Sequence, residues 1–267
     1  MQKYIDPILR REISEKADRI RDHPQCYETR RRKIIKELRT IGDVFSFWIE
    51  NPELRRSLYL ENKSQKTLKK LSTKGIQSMH NGWNYLVNPM LSESLIEDIN
   101  KDDFEIVKSL NSLVLGGSKK HFGFRTDRVT LNCDDYSPAE PEEIQERMQK
   151  ADESIRENFS DDFLEAAITW HLEGAAIQPF DEGNKRTFRL IQDRILYGEG
   201  LPPVIIPAGE AKYYLRLLCK TFPAYEKRDL DGQREFYNYC ASKINTGLDE
   251  ILGDLKISSA CIDIFEK

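Results

Sequence analysis

Ile177-Gln-Pro-Phe-Asp-Glu-Gly-Asn-Lys-Arg-Thr-Phe-Arg189 is the stretch that decides how this chain reads. It closes one helical pattern before Pro179, turns through Gly183-Asn184 and opens another helix on basic residues. A helix start preceded by glycine leaves backbone N–H groups and the positive dipole end facing outward, which suits an anion. Arg186 and Arg189 are three apart and share a helix face, where two guanidinium forks could grip adjacent phosphates. Glu182, just before the glycine, is placed to hold a hard cation such as Mg2+ against those phosphates. Cations sit better at a helix's end than at its start, so three of them here form a local cost that a bound anion would relieve. A capped surface helix with solvated charges fits the same residues, and side-chain chemistry alone leaves both readings open.

Working outward, the flanking pattern is helical. Upstream, a segment opened by Ser160-Asp161 carries Phe163, Ala167, Trp170, Leu172 and Ala176 on an inward face. Downstream, a helix from Lys185 to Tyr197 is stopped by Gly198 and Gly200, and Pro202-Pro203 leads to helices over 210–219 and 233–252. Further upstream, helical patterns cover 92–115, ending at Gly116-Gly117, and run from the proline-acidic patch at 137–143 through Ile155. The basic run Arg30-Arg-Arg-Lys33 lies beside apolar Ile34, Ile35, Leu38 and Ile41 and reads as the solvated flank of an amphipathic helix. A further helix is expected from about Glu53. One segment reads as β: Phe124, Val129 and Leu131 flank a turn at Thr126-Asp127.

The motif loop resembles that of the Fic family, HPFx(D/E)GNGRxxR, at Pro179, Phe180, Glu182, Gly183, Asn184, Arg186 and Arg189. The resemblance covers about residues 51–245. It implies an all-α fold: a Fic-type helical bundle with a β-hairpin flap and an N-terminal helical extension over 1–50, with 246–267 as a C-terminal tail. It further implies protein adenylyltransferase chemistry, AMP passing from ATP to a protein hydroxyl, with Mg2+ at Glu182. Gly183, Asn184, Lys185, Arg186 and Arg189 become nucleotide-binding positions, and Phe122, Gly123, Phe124, Arg125 and Val129 the flap that holds a protein target. Ser57-Leu-Tyr-Leu-Glu61-Asn62 is similar to the family's inhibitory helix, whose glutamate would pair with Arg189 and block a γ-phosphate. His171 stands where the family often has a histidine on the preceding helix.

Two positions depart from the family pattern, and both fall among the catalytic candidates. Gln178 stands where the family has the histidine that deprotonates the target hydroxyl. A primary amide does not titrate near neutral pH, and losing a general base typically costs about 10²–10⁴ in rate. Lys185 replaces a glycine and either crowds the phosphate path or adds a point-charge ligand. The Asn-Lys-Arg order is similar to that of Doc-type phosphotransferases, although those keep the histidine and lack the second arginine. Three functions therefore remain open: a weak or altered nucleotidyl or phosphoryl transferase, a pseudoenzyme acting as nucleotide- or peptide-binding regulator, and a Fic fold recruited to other chemistry.

Composition narrows the field from the other side. The 267 residues carry 41 basic and 45 acidic side chains, net −4, a balance that disfavours nucleic acid and anionic membranes as partners. No apolar run approaches a membrane span or a secretion signal, so a cytoplasmic protein is expected. Five cysteines and four histidines are scattered without metal-ligand spacing, and the cysteines read as reduced thiols. A homo-oligomer stays open.

Overall fold

A computed structural model describes residues 4–21, 23, 29, 32–35, 65–87, 95–117, 122–131, 133, 136–159 and 162–265. Its helices are α1 (Pro7–Arg21), α2 (Gln65–Leu86), α3 (Leu95–Asp98), α4 (Lys101–Val114), α5 (Ile144–Phe159), α6 (Phe163–Ile177), α7 (Asn184–Gly198), α8 (Ala211–Glu226) and α9 (Leu230–Phe265). Short 3-10 turns at Pro141–Glu143 and Ala208–Glu210 lead into α5 and α8. The expected all-α architecture holds.

The bundle is built around α6, which packs on α5, α7, α8 and α9. Sequence periodicity expects one inward face, yet α6 is buried almost all round, from Leu164 to Ile177. Ala166, Ala167, Ala175 and Ala176 are fully covered, so neighbouring helices approach from several sides, as expected for an apolar core helix. Its cap is Asp162, whose carboxylate accepts from the Glu165 N–H, one residue past the expected Ser160-Asp161 start. Against it lies α7 through Phe188, Leu190, Ile191, Ile195 and Leu196, all buried. Gly174 makes that crossing close, because a Cβ there would stand 2.1 Å from the Phe188 ring.

The N-terminal helix α1 packs along α9. Fully buried Glu165 accepts from the N–H groups of Tyr4 (3.0 Å) and Ile5 (3.1 Å) and pairs with Arg10, which also pairs with Asp162. Tyr4 stacks on Tyr237 with centroids 4.1 Å apart. Helix α9 runs unbroken through residue 245, and α8 continues beyond the expected stop at Cys219 to Glu226, with Pro223 inside its last turns. The expected helix over 92–115 is divided into α3 and α4.

Two expectations are corrected. No β-strand occurs among the described residues, and the segment expected as a β-hairpin flap, 122–131, is an irregular arm with bends at Gly123 and Thr126-Asp127. Its bonds go elsewhere: the Arg125 N–H donates to the Pro179 carbonyl at 2.9 Å, so the arm grips the motif loop rather than a second strand. The cysteines are not all reduced thiols either. Cys133, at the far end of the arm, is disulfide-bonded to Cys219 on α8, with the two Cα atoms 5.2 Å apart. Of the others, Cys240 is a buried free thiol, its pKa pushed up to about 12 by burial.

Candidate functional site

The site lies where α6 stops and α7 starts. Gln178 ends α6 in a left-handed conformation (φ 52°), which a side chain adopts only at a cost of about 1–2 kcal/mol. Its amide is held at both ends. Nε2 donates to the Ala175 carbonyl at 2.5 Å, and Oε1 accepts from Asn184 Nδ2 at 3.0 Å. Asn184 folds back on the loop: its Oδ1 accepts from the Phe180 N–H (2.9 Å) and its Nδ2 donates to the Phe180 carbonyl (2.7 Å). Gln178 and Asn184 are both buried, so the sequence's catalytic candidate is an internal strut of the loop.

Gly183 caps α7 with φ 81° and offers no side chain to the helix's first donors. The cap is crowded as well as left-handed, since a Cβ there would meet Asn111 Nδ2 at 3.0 Å. Asn111, fully buried on α4, donates to the Glu182 carbonyl (2.9 Å) and to Thr187 Oγ1 (3.1 Å), pinning the loop to the first turn of α7. From the other side, Arg125 inserts its guanidinium between carbonyls. Nε donates to Gln178 O (2.7 Å), Nη1 to Asp127 O (2.7 Å) and Nη2 to Ala139 O. Phe124 lies against Phe180 at 5.6 Å, and Lys108 Nζ sits 4.6 Å over the Phe124 ring.

Three basic residues follow the cap, and the structure treats them differently. Lys185 and Arg186 are partly buried in the first turn, and burial lowers the pKa of both. Glu182 counters this for Arg186 by its charge, but among the described residues neither cation closes an ion pair. Arg189 turns inward instead: it is 6% exposed, lies 5.8 Å over the Tyr214 ring, and its Nη2 donates to the Val204 carbonyl at 3.4 Å. Asp193, one turn on, is buried nearby, its carboxyl pushed up to about 7 by burial and drawn back by the Arg189 charge.

Other sequence candidates fall into place around this loop. His171 is 1% exposed, bonded to the Tyr214 hydroxyl and stacked on Phe236. Burial drops its pKa to about 3, so it is a neutral core residue and no substitute base at pH 7. Asp181 and Glu182 are exposed at the rim. Phe122 is half exposed on the arm, Gly123 (φ 109°) and Val129 are partly buried, and Arg125 is interior. Ser57, Glu61 and Asn62 lie outside the described residues. Sequence reasoning missed Asn111 and Tyr136, whose hydroxyl donates to the Ala176 carbonyl at 2.9 Å. Asn111 left one signal, a polar residue on the apolar face of an otherwise regular helix, Ile106-Val-Lys-Ser-Leu-Asn111-Ser-Leu-Val114.

The chemistry open to such a loop is anion capture. A left-handed glycine cap without a capping side chain, two cations without a closed ion pair among the described residues and a rim carboxylate match a phosphate chain carrying one hard cation. A single carboxylate suits Mg2+, which takes most of its remaining ligands from phosphates and water. No group of three His, Cys, Asp or Glu side chains among the described residues forms a metal site without such phosphates.

Comparison with known proteins agrees with this geometry. The Fic/DOC family model matches residues 91–196, from just before α3 almost to the end of α7, with the motif loop inside it. The chain carries a Fic domain. A Caenorhabditis elegans protein adenylyltransferase, fic-1, is 26% identical over 166 residues, covering 61% of this chain and 30% of the relative. The Drosophila willistoni protein adenylyltransferase Fic is 32% identical over 94 residues, 34% of this chain and 18% of that one. The chain thus spans less than a third of the curated relatives it matches. Among solved structures, C. elegans Fic-1 (residues 134–508) superposes with TM-score 0.67 at 20% identity, over 94% of this chain and 72% of that one. A Fic-domain signalling protein from Bacteroides thetaiotaomicron gives 0.63 at 17%, over 92% and 97%. The likeness in fold therefore extends beyond the matched Fic segment to helices on both sides of it.

Behind the Fic loop, Glu173, a partly buried carboxyl, is expected to give the fold a pH dependence. Glu173 on α6 accepts from the Tyr225 hydroxyl, beside the Arg147–Glu226 pair (2.6 Å). Burial raises its carboxyl to about 7. A carboxyl raised in the folded state contributes stability that is complete below its unfolded pKa near 4.5 and is lost as pH rises through 7. Glu173→Gln keeps an acceptor for Tyr225 without the charge. The melting temperature of that variant should climb relative to wild type by several degrees between pH 5 and pH 8. A difference that stays constant over this range would show that Glu173 ionises as an ordinary carboxylate.

Proposed function

We propose that this Fic domain binds the phosphates of an adenine nucleotide at residues 182–189, and that its AMP-transfer activity is weak or altered. The observation that carries the reading is the uncapped start of α7, where Lys185 and Arg186 sit partly buried without an ion pair among the described residues. An anion seated there would give both a charged hydrogen-bond partner. ATP with Mg2+ is the ligand suggested by the adenylyltransferase relatives, and it would bring an activated α-phosphorus for transfer to a protein hydroxyl. The chain's own contributions are charge from Lys185 and Arg186, loop N–H groups, and Glu182 as a cation ligand. The arm, with Phe122 outermost, would lie along a segment of the target protein.

Gln178 supports a second reading, a binding module without catalysis. Its amide cannot take a proton, and both of its ends are already committed to Ala175 and Asn184. ATP labelled at the α or γ position separates the cases. Transfer from α means a residual adenylyltransferase, transfer from γ a Doc-like phosphotransferase, and tight binding with no transfer a regulator. In calorimetry, Arg186→Ala should weaken ATP or ADP binding by about 2 kcal/mol, because alanine offers the phosphate no charge-assisted hydrogen bond. Unchanged affinity in a folded Arg186→Ala variant would remove the anion site from residues 182–189.

A further inference from the structure

The arm that braces the motif loop is fastened along its length by bonds of different kinds. Near its start, the Arg125 N–H donates to the Pro179 carbonyl and Nε to Gln178 O, while Phe124 lies 5.6 Å from Phe180. Farther along, Tyr136 donates to the Ala176 carbonyl at 2.9 Å and rests 4.8 Å from the Phe222 ring of α8. Both of these fastenings are buried. Past Asp127, whose carbonyl still accepts from Arg125, the chain comes to the surface. Arg128 and Thr130 are exposed there, and Val129 and Leu131 are only partly buried. The Arg128–Glu140 pair (2.6 Å) is open to solvent and adds little hold. The covalent tie of this middle stretch to the bundle is the Cys133–Cys219 disulfide, which joins it to α8.

Both half-cystines are partly exposed, whereas the free thiol of Cys240 is buried. An exposed disulfide is open to attack by a thiolate and belongs with the labile, regulatory bonds rather than the shielded structural ones. We propose that Cys133–Cys219 is a reversible thiol–disulfide switch, which fastens the arm to α8 when oxidised and releases its middle stretch when a dithiol reduces it. One thiolate of the dithiol attacks a sulfur of the bond, forming a mixed disulfide, and the other cysteine leaves as a thiolate that takes up a proton. The second thiol of the dithiol then displaces the remaining cysteine and closes the reductant's own disulfide, so two electrons pass to the protein. Exchange with an oxidised disulfide reverses both steps. Arg125 and Tyr136 keep their bonds to the motif loop in either state, so the change is confined to the residues between them. The switch stands whether or not a nucleotide binds at residues 182–189.

The test uses the full chain, kept either in oxidised glutathione or in dithiothreitol, with thiols trapped by alkylation before peptide mass spectrometry. Cys133 and Cys219 should be joined in the first buffer and alkylated in the second, without denaturant. Trypsin then reads the arm, because Arg128 is exposed while Arg125 is buried. Cleavage after Arg128 should be about tenfold or more faster in the reduced protein, since opening of the stretch no longer works against a covalent tie. Amide exchange should quicken in residues 128–131 well before the interior of α6. Cys133→Ser, placed on the arm outside every helix, should be cut at the reduced rate in both buffers. Two free thiols in oxidised glutathione would overturn the proposal, as would a bond that dithiothreitol opens only after unfolding. Equal cleavage rates in the two states, or a response to dithiothreitol that survives in Cys133→Ser, would overturn it as well.

Discussion

Replacing Gly174 by alanine is expected to disrupt this fold more than any other single methyl group added to it. The new Cβ would lie 2.1 Å from Phe188 Cγ and 2.2 Å from both Cδ atoms, inside the body of the ring rather than at a flexible tip. Phe188 is fully buried, so its ring has no solvent-facing rotamer to retreat to. Overpacking a core ordinarily costs about 1–3 kcal/mol, and a clash of this depth belongs at or above the upper end. Helices α6 and α7 would have to separate, and the loop that joins them would move with them. Phe188 lies two residues after Arg186, so the anion site would be displaced together with the core. Urea unfolding of Gly174→Ala should show a loss of about 3 kcal/mol or more, and Phe188→Ala in the same chain should recover part of it. An unchanged midpoint in the single variant would mean that α6 and α7 do not cross at Gly174.

The parts of this structure that the sequence made legible are those written in local chemistry. Pro179 and Gly183 bracket the loop, the patterns on either side give α6 and α7, and the run Gly183-Asn-Lys-Arg186 marks the anion-facing helix start. What stayed hidden depends on partners far away in the chain. Residues 122–131 read as a strand and turn, but Arg125 within them donates to carbonyls of Gln178, Pro179 and Ala139, which no local pattern announces. Cys133 and Cys219 lie 86 residues apart and meet only because the arm crosses to α8. Arg189 reads as a ligand by its spacing from Arg186, yet on the inward side of α7 it meets the Val204 carbonyl and the Tyr214 ring. Gln178 was visible as a lost base. Its tie to Asn184 appears only when the loop is folded, because the left-handed turn at Gln178 brings the two amides together.

Arg125→Ala should have the second large effect, and it distinguishes a surface flap from an internal brace. The residue was expected at a target-binding surface, yet it is 4% exposed and its guanidinium serves three main-chain carbonyls. Two of these, on Gln178 and Ala139, are buried with the side chain. Alanine would leave both acceptors in the core without a donor, at about 1–3 kcal/mol each. A loss of about 4 kcal/mol follows, in line with what a buried charged side chain costs when its partners stay behind. Lysine at this position reaches only one or two carbonyls with a single nitrogen and should restore a minor part of the loss. The effect should also be directional. With the brace gone, amide hydrogen exchange should quicken first in residues 122–131 and 178–183, ahead of the helix interiors of α6 and α9. Nucleotide binding should weaken in parallel, because the αL turn at Gln178 loses the donor that fixes its carbonyl. If Arg125→Ala instead keeps wild-type stability and exchange while failing only to bind a protein target, then Arg125 works at the surface, and the arm is held to the loop by other groups.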